Sequence, residues 1–557
     1  MDSWIAIDLG SSFIRAAIFQ DNYVRVLPIF EGETKLASVI SNRNDHWIFG
    51  THALRNRNSA ENTIFDALRV WKNESFRDIS FKCPYRDGNY YQKLTNGNLQ
   101  SIPRCEVVSI LLNTVRENLK RTGIEFENAV LTIPDFATQH HKRMVLKAAE
   151  MSNIKQVRLI NASTAAAMHY NHMVKDLSEK YYFMILHIGG GSTSVTVYLK
   201  HEDGKLELVS AAGDPWLGGE DITGILHDRY GDELYWKTKK NDLEKPRDYR
   251  QMRDECEKAK KELALSKDTE LNFDIDGTIH TFKLNRNKFK ELIEEEFSTQ
   301  IRTFIEEALK PIPNAKQSIK HVLFIGGSAG IPIQPRIPYL PQIISQYLPK
   351  DLFFNQINFD EAVIRGAALK AGILEEKLPK ENDVLNVPIM PVFVEINGKN
   401  EVACKKIEKI PFEENRNVLD VRKEDIPIGL KIFDKEVHAG DKRRELFRLI
   451  DLSNEPFTIA YSIDDNGVID IFSTSATTTK SLLAEPFEEM LLKINPTSST
   501  SRRSRAKRNQ RDSSSSSSSS GESQNSIEDL DNNSSTVSSP PLKRSKRFGR
   551  AHNRFAA

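Results

Sequence analysis

Paired cysteines, long apolar runs and a phosphate-binding loop that opens a helix are all missing from this chain of 557 residues. Its four cysteines, Cys83, Cys105, Cys256 and Cys404, lie far apart. That spacing argues against a zinc site or a disulfide framework and fits a reducing compartment. No apolar stretch reaches the roughly 18 residues that a membrane-spanning helix needs, so no membrane partner is expected. Met1-Asp2-Ser3 runs straight into a strand-like segment with nothing resembling a secretory leader. A large charge of either sign is missing too, since the formal net charge is +1.

That small sum hides two different polymers. From Asn495 onward there are twelve Lys/Arg against five Asp/Glu, about +7, which leaves about −6 for the rest. The tail holds eight consecutive serines (513–520) and two basic clusters, Arg502-Arg503-Ser504-Arg505-Ala506-Lys507-Arg508 and Lys543-Arg544-Ser545-Lys546-Arg547. Its few apolar residues cannot offset the entropy of ordering, so disorder is expected over 494–557. The clusters fit a nuclear import signal, a nucleic-acid contact or a solvated charge run. The serines and Ser526-Ile527-Glu528-Asp529 are candidate phosphorylation sites or plain linker.

With 39% hydrophobic residues, the body is long enough for more than one domain. Its main signal is a glycine-and-serine turn between apolar strands that occurs twice, as Ile5-Ala6-Ile7-Asp8-Leu9-Gly10-Ser11-Ser12 and Ile185-Leu186-His187-Ile188-Gly189-Gly190-Gly191-Ser192. A second strand follows each turn (13–19 and 195–199), so each closes a hairpin. Glycine lets backbone approach a ligand, and successive N–H groups in a tight turn form an anion-binding concavity. The two loops read as a clamp on a phosphate chain. Aligning them places Asp8 over His187 and Gly10 over Gly189, as a duplicated domain would.

Between and after the loops, strands alternate with helices. Val130-Leu131-Thr132-Ile133 is a strand halted by Pro134, 138–151 a helix, Val157-Arg158-Leu159-Ile160 a strand, and 162–170 an alanine-rich helix. Trp216-Leu217-Gly218-Gly219-Glu220-Asp221 precedes a helix carrying Cys256-Glu257-Lys258-Ala259-Lys260-Lys261, and a third glycine turn follows Val322-Leu323-Phe324-Ile325. The class is α/β, with glycine turns at strand ends, where such folds tend to bind ligands.

Asn62-Thr63-Ile64-Phe65-Asp66-Ala67, Leu217-Gly218-Gly219-Glu220-Asp221, Cys256-Glu257-Lys258-Ala259-Lys260, Ile325-Gly326-Gly327-Ser328 and Asp360-Glu361-Ala362-Val363 stand in the order and spacing of one family. The chain resembles the 70-kDa heat-shock protein (DnaK-type) chaperones. That resemblance implies an actin-like (ribonuclease H-like, duplicated) ATPase domain over 1–380, a linker over 381–388 and an antiparallel β-sandwich for substrate over 389–480. It implies ATP or ADP as cofactor, gripped by Gly10, Ser11, Ser12 and Phe13 and by Gly190, Gly191 and Ser192. Glu257, Lys260 and Lys261 would lie beside ribose and adenine; Gly326, Gly327 and Ser328 would pass under the nucleotide; Asp360 would close the site. Without the family, charges at i, i+3 and i+4 on that helix read as a solvated face. Implied partners are unfolded or extended peptide segments, a J-domain co-chaperone, a nucleotide-exchange factor or another chaperone of the family. A cytoplasmic or nuclear location is expected, with import factors as further partners if the basic tail is read.

The departures concern chemistry. Leu68 stands where the family has a lysine reaching the terminal phosphate, Ala162 where it has a glutamate, and His187 and Ser194 where it has aspartates. Asp8 alone remains of these catalytic and metal-facing positions. Phosphoryl transfer rests on positioning and charge, and losing one such stabiliser costs about 100- to 1,000-fold in rate. Hydrolysis is expected to be very slow or absent, and Mg²⁺ binding doubtful with Asp8 as the one candidate ligand. His187 is either a structural histidine or, protonated, a direct phosphate partner.

Beyond the domain, Asp383-Val384-Leu385-Asn386-Val387-Pro388 interrupts the family's leucine linker. Alternating segments at 392–396 and 457–461 suggest the sandwich, and Asp465-Asn466-Gly467 a tight hairpin. Only about three helical turns (481–493) stand where a lid is expected, so bound peptide should exchange quickly. Three functions follow: an ATP-binding chaperone or co-chaperone, a catalytically silent structural or regulatory partner of another chaperone or nuclear assembly, and a small-molecule kinase in which the sandwich would have no role.

Overall fold

A computed structural model of the chain describes residues 3–65, 67–69, 83, 85–86, 89–174, 179–239, 245–329, 340–380 and 383–384; between 392 and 481 it describes strands and the turn residues 464–466 and 468. The connector from 385, the helix expected over 481–493 and the tail over 494–557 lie outside the described residues.

Strands β1 (Trp4–Leu9) and β2 (Phe13–Gln20) form the first glycine-turn hairpin, with Asp8 opposite Arg15 and Leu9 opposite Ile14. β3 (Tyr23–Leu27) continues the meander; β4 (Asn128–Ile133) runs parallel to β1, and β5 (Gln156–Asn161) parallel to β4, giving the order β5-β4-β1-β2-β3. Every residue of β4 is buried, as expected of a central parallel strand covered on both faces.

The second half repeats this plan. β6 (Tyr181–Ile188) and β7 (Thr193–Lys200) form the second hairpin, with His187 opposite Ser194. β8 (Leu206–Asp214) follows β7, and β9 (Ile319–Ile325) runs parallel to β6, in the order β8-β7-β6-β9. Asp8 and His187 therefore occupy equivalent places, as do Arg15 and Ser194. The duplication expected from the sequence is present in the strand register.

Helix α1 (Gln139–Met151) begins at Thr138, whose Oγ1 accepts a hydrogen bond from the His141 amide at 3.2 Å. α2 (Ala162–Met173), α3 (Gly219–Thr238), α4 (Pro246–Leu265) and α5 (Ala362–Leu374) follow. α2 and α5 meet along a core of small side chains that includes Ala165, Ala166, Ala367, Ala368 and Ala371. Gly366 permits their closest approach, because a Cβ there would lie 1.6 Å from the Ala165 carbonyl oxygen. Separate apolar cores form around β1 and β4 and around β6, β7 and α4.

Among the described residues after 391, eight strands make two antiparallel sheets of four. The expected hairpin is present, pairing Phe457–Ile463 with Ile469–Thr474. Its turn is longer than the two residues an Asn-Gly signal suggests, because Asp464 closes it. The Asp464 amide donates to Val468 O at 3.0 Å, and Oδ1 accepts from the Asn466 and Val468 amides at 2.8 Å each. Asn466 then reaches the edge of β5: its Oδ1 accepts from the Leu159 amide at 2.8 Å and its Nδ2 donates to Val157 O at 3.4 Å. Arg158 and Asp465 form an ion pair beside it.

Candidate nucleotide site

A cavity of about 580 Å³ opens between the two hairpins. Every residue singled out from the sequence as a binding position lines it: both loops, Asp8, the charged face of α4, the third glycine turn and Asp360. The loops face each other at contact distance. A Cβ on Gly190 would lie 2.1 Å from Ser12 Oγ, and one on Gly191 2.7 Å from Ser11 Oγ. A side chain at either glycine would have to displace the facing serine. Ser38 fixes the first loop through Oγ to Gly10 O at 2.7 Å and its amide to Ser12 O at 3.0 Å. The second is held by the start of α3, where the Gly219 amide donates to Gly189 O at 2.9 Å and the Glu220 amide to Gly190 O at 2.8 Å. Gly326, at φ +91°, would carry a Cβ 2.5 Å from Ile188 O, so the third turn also requires glycine.

The α4 charges do not form a solvated face. Glu257 is 16% exposed and Lys260 11%, joined at 2.5 Å, while Lys261 reaches Glu257 from the cavity rim at 3.0 Å. Lys260 also donates to Gly219 O at 2.7 Å, and Thr223 Oγ1 to Glu257 at 2.7 Å. Burial opposes the charge on Glu257, but Lys260, Lys261 and Arg253 together hold its carboxyl well below the usual range.

Asp8 accepts from Thr132 Oγ1 at 2.6 Å, and Thr132 also accepts from the Leu9 amide at 3.0 Å, locking the end of β1 onto β4. Burial raises the Asp8 carboxyl above its ordinary value, against the lowering by Thr132, Arg15 and His187, and Asp360 adds to the rise. Arg15, opposite it, pairs with Asp360 at 3.0 Å.

A second carboxylate, Asp135, organises the neighbouring wall. Its Oδ1 accepts from the Ser163 amide at 3.0 Å and from Ser163 Oγ at 2.5 Å; its Oδ2 accepts from Ser194 Oγ at 2.5 Å and lies 3.8 Å from His187 Nδ1. Burial works against its charge, yet the neighbouring His187 and the hydrogen bonds from Ser163 and Ser194 outweigh that and hold its carboxyl low. Placed at the N-terminus of α2, it also meets the positive end of the helix dipole.

Comparison with known proteins decides the family: Hsp70 protein matches residues 4–539. The chain belongs to the Hsp70 family. Its relatives include heat shock cognate 70 kDa protein 3 of Dictyostelium discoideum, 25% identical over 86% of this chain and 79% of the relative. Heat shock 70 kDa protein 2 of Paracoccidioides lutzii is 25% identical over 86% of the chain and 75% of the relative. A heat shock 70 kDa protein of Emericella nidulans is 25% identical over 86% and 76%. Membership makes this an Hsp70-family chaperone, gives its α/β part the actin-like fold of an Hsp70 ATPase domain and implies ATP or ADP as ligand.

Within this Hsp70, Leu68, Ala162, His187 and Ser194 lie in distinct surroundings. Leu68 is 1% exposed and packs in the first core, away from the cavity. Ala162 lines the cavity without a polar group, Ser194 is turned to Asp135, and His187 lines the wall beside it. Among the described residues no group of three or more His, Cys, Asp or Glu is placed to hold a metal ion. A hard cation asks for several open oxygens. Asp8, its one candidate ligand here, lies opposite Arg15 on the hairpin, so the chemistry of the residues present fits a resident Mg²⁺ poorly.

Arg15, Lys35, Thr132 and Asp135 were not among the residues singled out from the sequence. Arg15 stands opposite Asp8 because Leu9 pairs with Ile14 across the four residues 10–13; the sequence did not fix that register. Asp135 carried no local signal; only tertiary contact brings it to Ser194.

Proposed function

We propose that this Hsp70-family chaperone holds ATP or ADP between its two hairpin loops and hydrolyses ATP very slowly or not at all, while its C-terminal sheets form a β-sandwich that binds extended peptide segments. The observation that carries the reading is the fate of the chemical positions. Leu68 is in the core, Ala162 is apolar, and His187 and Ser194 lie beside Asp135, whereas both glycine loops line the cavity. Binding that relies on main-chain amides survives such changes; positioning of water and stabilisation of the leaving phosphate do not. Single-turnover hydrolysis on the purified chain tests it, and a rate matching an active Hsp70 would overturn it.

A second reading, a catalytically silent structural or regulatory partner of another chaperone or nuclear assembly, is favoured by the same wall around Asp135, which leaves the nucleotide as a stabilising ligand. The two separate on fluorescent peptide release. A working chaperone releases peptide faster with ATP than with ADP, and a silent partner shows no nucleotide dependence.

A further inference from the structure

We propose that Arg15 supplies from within the chain the positive charge that a divalent metal would bring to the nucleotide phosphates, so that this site takes ADP or ATP as the metal-free anion. The inference rests on the nucleotide-binding reading above and deepens it. Arg15 stands on β2 directly opposite Asp8 and lines the cavity, 8% exposed. Its Nη2 reaches Asp360 Oδ2 at 3.0 Å. One fixed cation thus stands opposite Asp8 on the first hairpin and pairs with Asp360 at the cavity wall. The equivalent place in the second hairpin is Ser194, so only the first hairpin carries the charge.

A guanidinium stays protonated at any working pH and presents a fork of N–H donors that matches phosphate oxygens. A phosphate entering between the loops competes with Asp360 for that fork. A divalent ion at the same place meets a like charge where it needs open oxygen ligands. Lys35 adds a second cation at the cavity wall, its Nζ 5.0 Å from the Phe13 ring of the first loop.

Isothermal titration of the full chain with ADP and with ATP, in EDTA and in Mg²⁺, tests the proposal. The dissociation constants should agree within about twofold with and without metal, and Arg15→Ala should weaken metal-free binding by roughly ten- to a hundredfold, the effect of losing a charge-assisted hydrogen bond. Arg15→Lys keeps the charge without the fork and should fall between, which keeps the comparison informative if the alanine variant does not fold. Wild-type binding that needs Mg²⁺ by tenfold or more, or folded Arg15→Ala protein that binds metal-free ADP as well as wild type, overturns the proposal and leaves nucleotide binding standing. Absence of binding in both buffers overturns the nucleotide reading itself, and this proposal with it.

Discussion

Ser194 Oγ donates to Asp135 Oδ2 at 2.5 Å across 59 residues of chain. The pair is buried behind His187, which lines the cavity. Asp135 is 4% exposed and spends its lone pairs on Ser163, Ser194 and the His187 side.

Removing that carboxylate leaves donors buried without an acceptor. Asp135→Ala should lower the unfolding free energy by roughly 2–4 kcal/mol. Ser194→Asp puts a second carboxylate against the first and should destabilise by a similar amount while restoring no hydrolysis. Denaturant unfolding and single-turnover assays of both variants check this; a stable, active Ser194→Asp protein would contradict it.

Burial also sets a pH dependence. His141 is 2% exposed, and burial, with Arg104 nearby, pushes its pKa down to about 3 from 6.5. A depressed histidine contributes stability above its unfolded pKa, and that contribution is lost as pH falls from 6.5 toward 3. At pH 5 the loss from this one residue should be about 2 kcal/mol. Asp8 acts with the opposite sign: its raised carboxyl contributes below its ordinary value of 3.8 and loses that contribution as pH rises through the raised value. Thermal stability should therefore fall between pH 7 and 5, and His141→Phe should flatten the slope over that interval.

Gly218 carries the contact between α3 and the second loop. A Cβ there would lie 2.5 Å from Gly190 O and 2.7 Å from the Gly191 nitrogen. Gly218→Ala should push the loop from the helix, break the Gly219 and Glu220 hydrogen bonds to it, and weaken ADP binding by about tenfold or more. Titration calorimetry reads this directly, and unchanged affinity would mean that the loop is not part of the site.

The turn at Asn466 closes hydrogen bonds at the open edge of β5. Asn466→Ala should expose the Leu159 amide and cost about 1 kcal/mol. Faster hydrogen exchange at Leu159, with β4 amides unchanged, is the expected result; protection equal to wild type would show that the contact does not persist in solution.

Particular residues show what was legible. Gly10 and Gly326 announced close backbone approach, where a Cβ would meet a carbonyl oxygen at 2.6 and 2.5 Å, and the strand runs around the glycine loops gave the hairpins. Asn466 announced a turn but not its length, which Asp464 sets by accepting two amides. The charges of α4 at i, i+3 and i+4 were ambiguous, since a helix face looks the same in sequence whether it meets solvent or a cavity. Contact with Thr223 and Gly219 resolved it.

By itself the sequence determined the α/β character and the two glycine loops, with Asp8 and His187 at matching places. These are local signals, readable from residue type, period and spacing. Only the tertiary structure decided that Arg15 pairs with Asp360, 345 positions away, and that Asp135 gathers Ser163, Ser194 and His187. Electrostatics and hydrogen bonding act through space over a few ångströms, and which distant groups come that close is fixed by the packing of the strands and not by their order in the chain.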